Sequence, residues 1–155
     1  MVSKRLNINM NKRSEDSRKK GDIAEKLFEL ECIKRDIEVY KPVSSGGRVD
    51  YLAYVNGVYK RVQIKYISVY NNKILISFMK NQNGRKAEDG RPLYKKYCNH
   101  EIDLFLVYCP DLNEWYNIPI ELAATCSSLS LNIVITPKKN NQTKGVKYSY
   151  DYVWR

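Results

Sequence analysis

The chain has 155 residues, enough for one domain with one substantial core, and its 27 Lys and Arg against 17 Asp and Glu leave a formal net charge of +10. The excess is polarised: residues 101–137 contain no Lys or Arg but hold Glu101, Asp103, Asp111, Glu114 and Glu121, so one side is expected to face a polyanion, of which nucleic acid is the commonest. No apolar run of spanning length, apolar signal core or lipidation motif is present, and Cys32, Cys98, Cys109 and Cys126 form no CxxC pair, which together point to an intracellular protein off the membrane, with reduced thiols.

Residues 1–20 carry Lys4, Arg5, Lys12, Arg13, Arg18, Lys19 and Lys20 with little apolar material, and read as a basic arm or a frayed approach to a helix. The folded domain is expected over 21–155. From Asp22 the apolar positions Ile23, Leu27, Leu30, Ile33 and Ile37 follow helical spacing. A strand is expected over Glu38–Val43, then a small-residue turn, Ser44-Ser45-Gly46-Gly47-Arg48, that permits close backbone approach to a ligand. Val49–Val55 and Val58–Ser68 flank Asn56-Gly57, a strong short-range hairpin signal.

Ile74–Met79 reads as a further strand, and Lys80–Pro92 as a polar loop. Cys98 and His100 leave a tetrahedral metal site half empty, so zinc is not expected, and His100 is the only histidine. Ile102–Cys109 and Trp115–Ile120 form an antiparallel pair around a turn at Pro110–Asn113. A short helix over Glu121–Cys126, a strand over Leu131–Thr136 and a polar loop over Lys138–Lys144 complete the chain. The sum is a mixed α+β fold, a central sheet covered by an N-terminal helix.

A two-residue turn at Asn56-Gly57 sets Val55 opposite Val58 and therefore Asp50 opposite Gln63, with Lys65 on the diagonal. Opposed Cβ atoms lie about 5 Å apart and diagonal ones about 7–8 Å, so a carboxylate, an amide and an ammonium converge on one face. By itself this row reads equally as a wet stripe with an Asp50–Lys65 ion pair. Glu25 lies on the helix beside Phe28, Glu29 and Cys32, at the border of an apolar strip. Together with Asp50 and a strand carbonyl it completes a hard-oxygen site suited to Mg²⁺, where Lys65 would orient or polarise water.

At these residues the chain resembles the PD-(D/E)XK nuclease superfamily, most of all the group I intron-encoded homing endonucleases of that type. The resemblance runs from about Lys20 to the C-terminus, on Gly21-Asp22-Ile23-Ala24-Glu25, "GGRVD" ending at Asp50, "RVQIKY" with Gln63 and Lys65, and "DLFLVYCPDLNEWYNIP". It implies a restriction-endonuclease-like core with a central mixed sheet and added β-hairpins. It also implies metal ligands at Glu25, Asp50, Gln63 and the Ile64 carbonyl, with Lys65 as catalytic lysine. Gln63 replaces the family's usual acid, as in the intron-encoded subgroup; an amide oxygen still ligates Mg²⁺, with one negative charge fewer.

The expected activity is Mg²⁺-dependent cleavage of double-stranded DNA, with Mn²⁺ able to substitute, by a homo-oligomer, dimer or tetramer. Ser45, Arg48, Arg61, Lys80, Arg85, Lys86, Arg91, Lys95 and Lys96 are the expected DNA contacts, and Lys80–Lys96 the candidate reading loop. A junction resolvase or restriction-type nuclease of the same fold is the nearest rival. A DNA-binding module without chemistry is the alternative from another class, and Gln63 keeps it open.

Overall fold

The computed structural model describes residues 2–44, 46–135 and 145–155, with side chains from residue 16 onward other than that of Asn83. Helix α1 (Val2–Lys34) is followed by β1 (Glu38–Tyr40), β2 (Tyr51–Val55), β3 (Val58–Tyr66), β4 (Lys73–Ser77), β5 (Met79–Lys86) and β6 (Pro92–Lys96). Then come β7 (Leu104–Cys109), β8 (Glu114–Pro119), a 3₁₀ turn at Ile120–Ala124, β9 (Ser128–Asn132), β10 (Lys147–Tyr148) and a second 3₁₀ turn at Ser149–Tyr152.

The central sheet has five strands in the order β1-β2-β3-β7-β8, antiparallel except for the parallel pair β3–β7. A three-stranded sheet, β10-β9-β4, and the hairpin β5–β6 complete the framework. Asn56 and Gly57 have φ of 53° and 79°, as a two-residue hairpin turn requires, and the β2–β3 register is the expected one: Val55 with Val58, Ala53 with Lys60, Tyr51 with Val62.

Strand alternation divides the core in two. Val62 and Ile64 of β3, Tyr51 and Ala53 of β2, and Leu106 of β7 face α1 and meet Ala24, Phe28 and Cys32. Phe105 and Val107 of β7 point the other way, into a cluster with Ile74, Ile76, Phe78, Tyr97, Ile118 and Leu131. The face of β3 that carries Gln63 and Lys65 is therefore turned toward a second layer of protein rather than left as an open wet stripe. Truncating a fully buried aromatic such as Phe28 to Ala is expected to cost about 3–5 kcal/mol.

Several sequence expectations need correction. The helix does not begin at Asp22: residues 2–20 continue α1, because nothing in them breaks a helix and a single Gly21 costs only about 1 kcal/mol. The buried stripe of α1 is Ala24, Phe28 and Cys32, while Ile23, Leu30 and Ile33 remain exposed: the small Ala24 and Cys32 flank Phe28, whose ring packs against Tyr51 and Trp115. Lys80–Pro92 is largely the hairpin β5–β6, with an irregular register between Asn81 and Lys86. The strand expected at Leu131–Thr136 lies earlier, at Ser128–Asn132. Ser45 and the polar loop at Lys138–Lys144 fall outside the described residues.

Candidate active site

Asp50 stands one residue before β2 and continues its ladder, donating its N–H to the Val62 carbonyl at 2.9 Å. Its Oδ2 accepts the Ile64 N–H at 2.8 Å and a short hydrogen bond from the Gln63 amide nitrogen. The same Gln63 nitrogen reaches the Ile64 carbonyl at 3.3 Å, and Tyr97 donates its hydroxyl to Gln63 Oε1 at 3.0 Å. Lys65, two residues along the same face, holds its Nζ 5.2 Å from the ring centre of Phe105 and 5.7 Å from that of Tyr97.

Burial governs the charge states. It pushes the Asp50 carboxyl up to about 6, against the Ile64 N–H and with reinforcement from the negative charge of Glu25. It brings the Lys65 ammonium down to about 8, against the attraction of Asp50 and with the help of Lys80, which burial also shifts downward. Lys80 rests on the carbonyls of Gly46 and Gly47.

Glu25 approaches from α1. With Asp22, Lys41, Ser44, Gly46 and Asp50 it lines a cleft of about 420 Å³. Lys41 closes on Glu25 at 2.6 Å, lies 3.9 Å from Glu29 and donates to Tyr51 Oη at 3.3 Å, while Tyr51 donates to Glu29 at 2.6 Å. Gly46 also lines a basic cleft of about 360 Å³ formed by Arg48, Lys80, Asn81, Gln82, Arg85 and Lys95.

Glu25 of α1 and Asp50, just before β2, thus line one cleft, and Asp50 is hydrogen-bonded to Gln63 of β3, with Lys65 two residues further along that strand. A divalent cation fits this donor set: two carboxylates, one of them held back from ionising by burial and by the other's charge, and a strand carbonyl are hard oxygen donors. Gln63 departs from the expectation. An ionised carboxylate only accepts hydrogen bonds, so the amide must aim its nitrogen at Asp50, and its oxygen is turned to Tyr97 instead of toward the acids.

The expected DNA contacts also divide. Arg61 is engaged internally: it pairs with Asp103 at 2.8 Å and donates to the carbonyls of Asn99 and His100, clamping that segment to β3. Arg48 lies against Tyr97 and 3.3 Å from Glu101, which Lys95 also meets at 2.9 Å. Arg91 pairs with Asp89 at 2.9 Å near the hairpin tip, whereas Arg85 and Lys86 are exposed on β5. Cys98 Sγ lies 3.2 Å from His100 Nε2 with Glu101 beside them, but that carboxylate is already neutralised by Lys95 and Arg48. Sequence reasoning missed Lys41 and Tyr97, which reach the site only through the tertiary fold.

Among the described residues no helix is long and apolar enough to cross a membrane. Comparison with curated proteins finds no match. A solved structure of a bacterial homing endonuclease, I-Ssp6803I, is similar in fold, with a TM-score of 0.66, 21% identity and 88% of each chain covered. Residues 15–154 match the family described as PD-(D/E)XK endonuclease. Acid, amide and lysine stand on the paired strands, a further acid comes from the helix, and nearly the whole chain matches one family. The chain accordingly belongs to the PD-(D/E)XK endonucleases, metal-dependent enzymes that cut DNA.

Proposed function

We propose that this protein is a sequence-specific, homing-type endonuclease that hydrolyses both strands of DNA with Mg²⁺, for which Mn²⁺ substitutes. The observation that carries the reading is the meeting of Glu25 and Asp50 at one cleft, with Lys65 behind Asp50 and a basic cleft next to it. The fold likeness to a homing endonuclease supports the same choice among nucleases.

Glu25, Asp50 and the Ile64 carbonyl would hold the cation; Gln63 would add its oxygen only after its amide turned over. When bound, such an ion stabilises charge on the phosphate and lowers the pKa of a coordinated water. Lys65, protonated for the most part at neutral pH and seated among aromatic rings, donates a proton-bearing group toward the phosphate or the attacking water. Hydrolysis leaves 5′-phosphate and 3′-hydroxyl ends.

The hairpin β5–β6 is the DNA-reading element in this account, because a two-stranded ribbon fits the major groove. Lys80, Arg85, Lys86, Arg91 and Lys96 supply its positive charge; Arg48 and Lys95 brace its base through Glu101. Two active sites are needed to cut two strands, so a dimer or tetramer is the working form. Selection of cleaved molecules from a randomised DNA library in Mg²⁺ tests the reading. One enriched site with a fixed stagger supports it, whereas cutting without sequence preference, or preference for four-way junctions, contradicts it.

A further inference from the structure

Tyr97 follows β6 directly and is 4% exposed. Its N–H donates to the Phe78 carbonyl at 2.9 Å, and its ring meets Phe105 edge-on with centroids 5.1 Å apart. The backbone and ring are thereby fixed by the second core, and the hydroxyl is delivered to Gln63 Oε1 at 3.0 Å. The same ring bounds the Lys65 ammonium on one side and carries the Arg48 guanidinium, 4.7 Å from its centroid, on another.

A primary amide has a donor end and an acceptor end, and here both ends meet partners of the opposite kind. Asp50, when ionised, accepts at the nitrogen end; Tyr97 donates at the oxygen end. A glutamate at position 63 would instead set a second carboxylate against Asp50.

We propose that Tyr97 is a positioning residue of the nuclease site: its hydroxyl locks the Gln63 amide so that the NH₂ group, not the oxygen, faces and orients Asp50. Gln63 then serves as a clamp on the metal-binding acid. Its place in the motif is filled by a hydrogen-bond donor rather than a weaker ligand. The inference rests on the nuclease reading above, and its test separates the two.

The full-length protein is compared as wild type, Tyr97→Phe, Gln63→Met and the double variant. Tyr97→Phe keeps the ring and its packing, so DNA affinity measured in EDTA should stay within about twofold. Single-turnover plasmid cleavage in Mg²⁺ should fall about tenfold or more, the range typical of residues that orient ligands. Added to Gln63→Met, the same change should have almost no further effect. The metal-free protein gives a second readout: the side-chain ¹⁵N–¹H₂ signals of Gln63, assigned by their loss in Gln63→Met, should move in Tyr97→Phe.

Cleavage by Tyr97→Phe within twofold of wild type, unmoved Gln63 signals, or additive effects of the two substitutions would each overturn the positioning role. Wild-type protein that cuts no DNA in Mg²⁺ or Mn²⁺ overturns the nuclease reading and the role with it, an outcome distinct from the other three.

Discussion

The backbone N–H of Ile64 donates to Asp50 Oδ2 at 2.8 Å, tying the acid that precedes β2 to the strand that carries Gln63 and Lys65. Asp50 is thereby held in place before any ligand arrives, and burial favours the neutral forms of both Asp50 and Lys65. That arrangement has measurable consequences for stability, metal demand and DNA binding.

Asp50→Asn should stabilise the metal-free protein at about pH 7.5 while abolishing cleavage. The carboxyl is raised to about 6 in the folded state, so the stability linked to its protonated form is complete below the ordinary carboxylate range and is lost as pH rises through about 6. The advantage of the variant should be about 1–2 kcal/mol at neutral pH and should shrink toward zero by about pH 4. Urea denaturation of both proteins in EDTA across that range measures it.

Lys65→Met should behave in the mirror sense. The ammonium is lowered to about 8 on folding, so the linked stability is present above the ordinary lysine range and is lost as pH falls through about 8. The variant should be more stable by about 1–3 kcal/mol near pH 7, with the gap closing as pH rises past 8, and should not cut DNA. Thermal unfolding at pH 7 and pH 9 checks the sign.

Lys41 sits 2.6 Å from Glu25 and competes with a cation for that carboxylate. Lys41→Gln should lower the Mg²⁺ concentration for half-maximal cleavage several-fold. Stability should change by no more than about 1 kcal/mol, as befits an ion pair in which Lys41 is half exposed. A metal titration of the cleavage rate decides; an increased Mg²⁺ requirement would assign Lys41 a supporting role at Glu25 instead.

Arg85 and Arg61 should separate binding from folding. Arg85→Ala on the hairpin should weaken binding to all DNA sequences and reduce the slope of log K against log [salt] by about 1. Arg61→Ala should leave that slope unchanged and destabilise the fold by about 1–3 kcal/mol, because it removes the guanidinium bonds to Asp103 and two carbonyls while the backbone bond to Asp103 remains. Fluorescence anisotropy at several salt concentrations and denaturant melts measure the two effects.

The pairing of Asp50 with Gln63 is legible in the sequence because Asn56-Gly57 demands one turn and one register, and alternation then assigns every face. The helix carrying Glu25 is legible too, but not its buried stripe. Hydropathy points to Ile23, Leu30 and Ile33, whereas close packing selects Ala24, Phe28 and Cys32. The hairpin β5–β6 is hidden because Lys80-Asn81-Gln82-Asn83-Gly84-Arg85-Lys86 has no apolar alternation, the signal on which strand reading depends. Tyr97, Lys41 and the Arg61–Asp103 clamp are long-range contacts, and neither composition nor local spacing distinguishes their residues from others of the same type.

The central claim, a metal-dependent nuclease site built on Glu25, Asp50 and Lys65, is tested most directly by nicking of supercoiled plasmid. The account predicts cutting by wild-type protein in Mg²⁺, none in EDTA, and rates reduced at least about a hundredfold in Asp50→Ala and Lys65→Ala. Undiminished cutting by either variant, or tight DNA binding by the wild type with no cutting under any divalent metal, would contradict it.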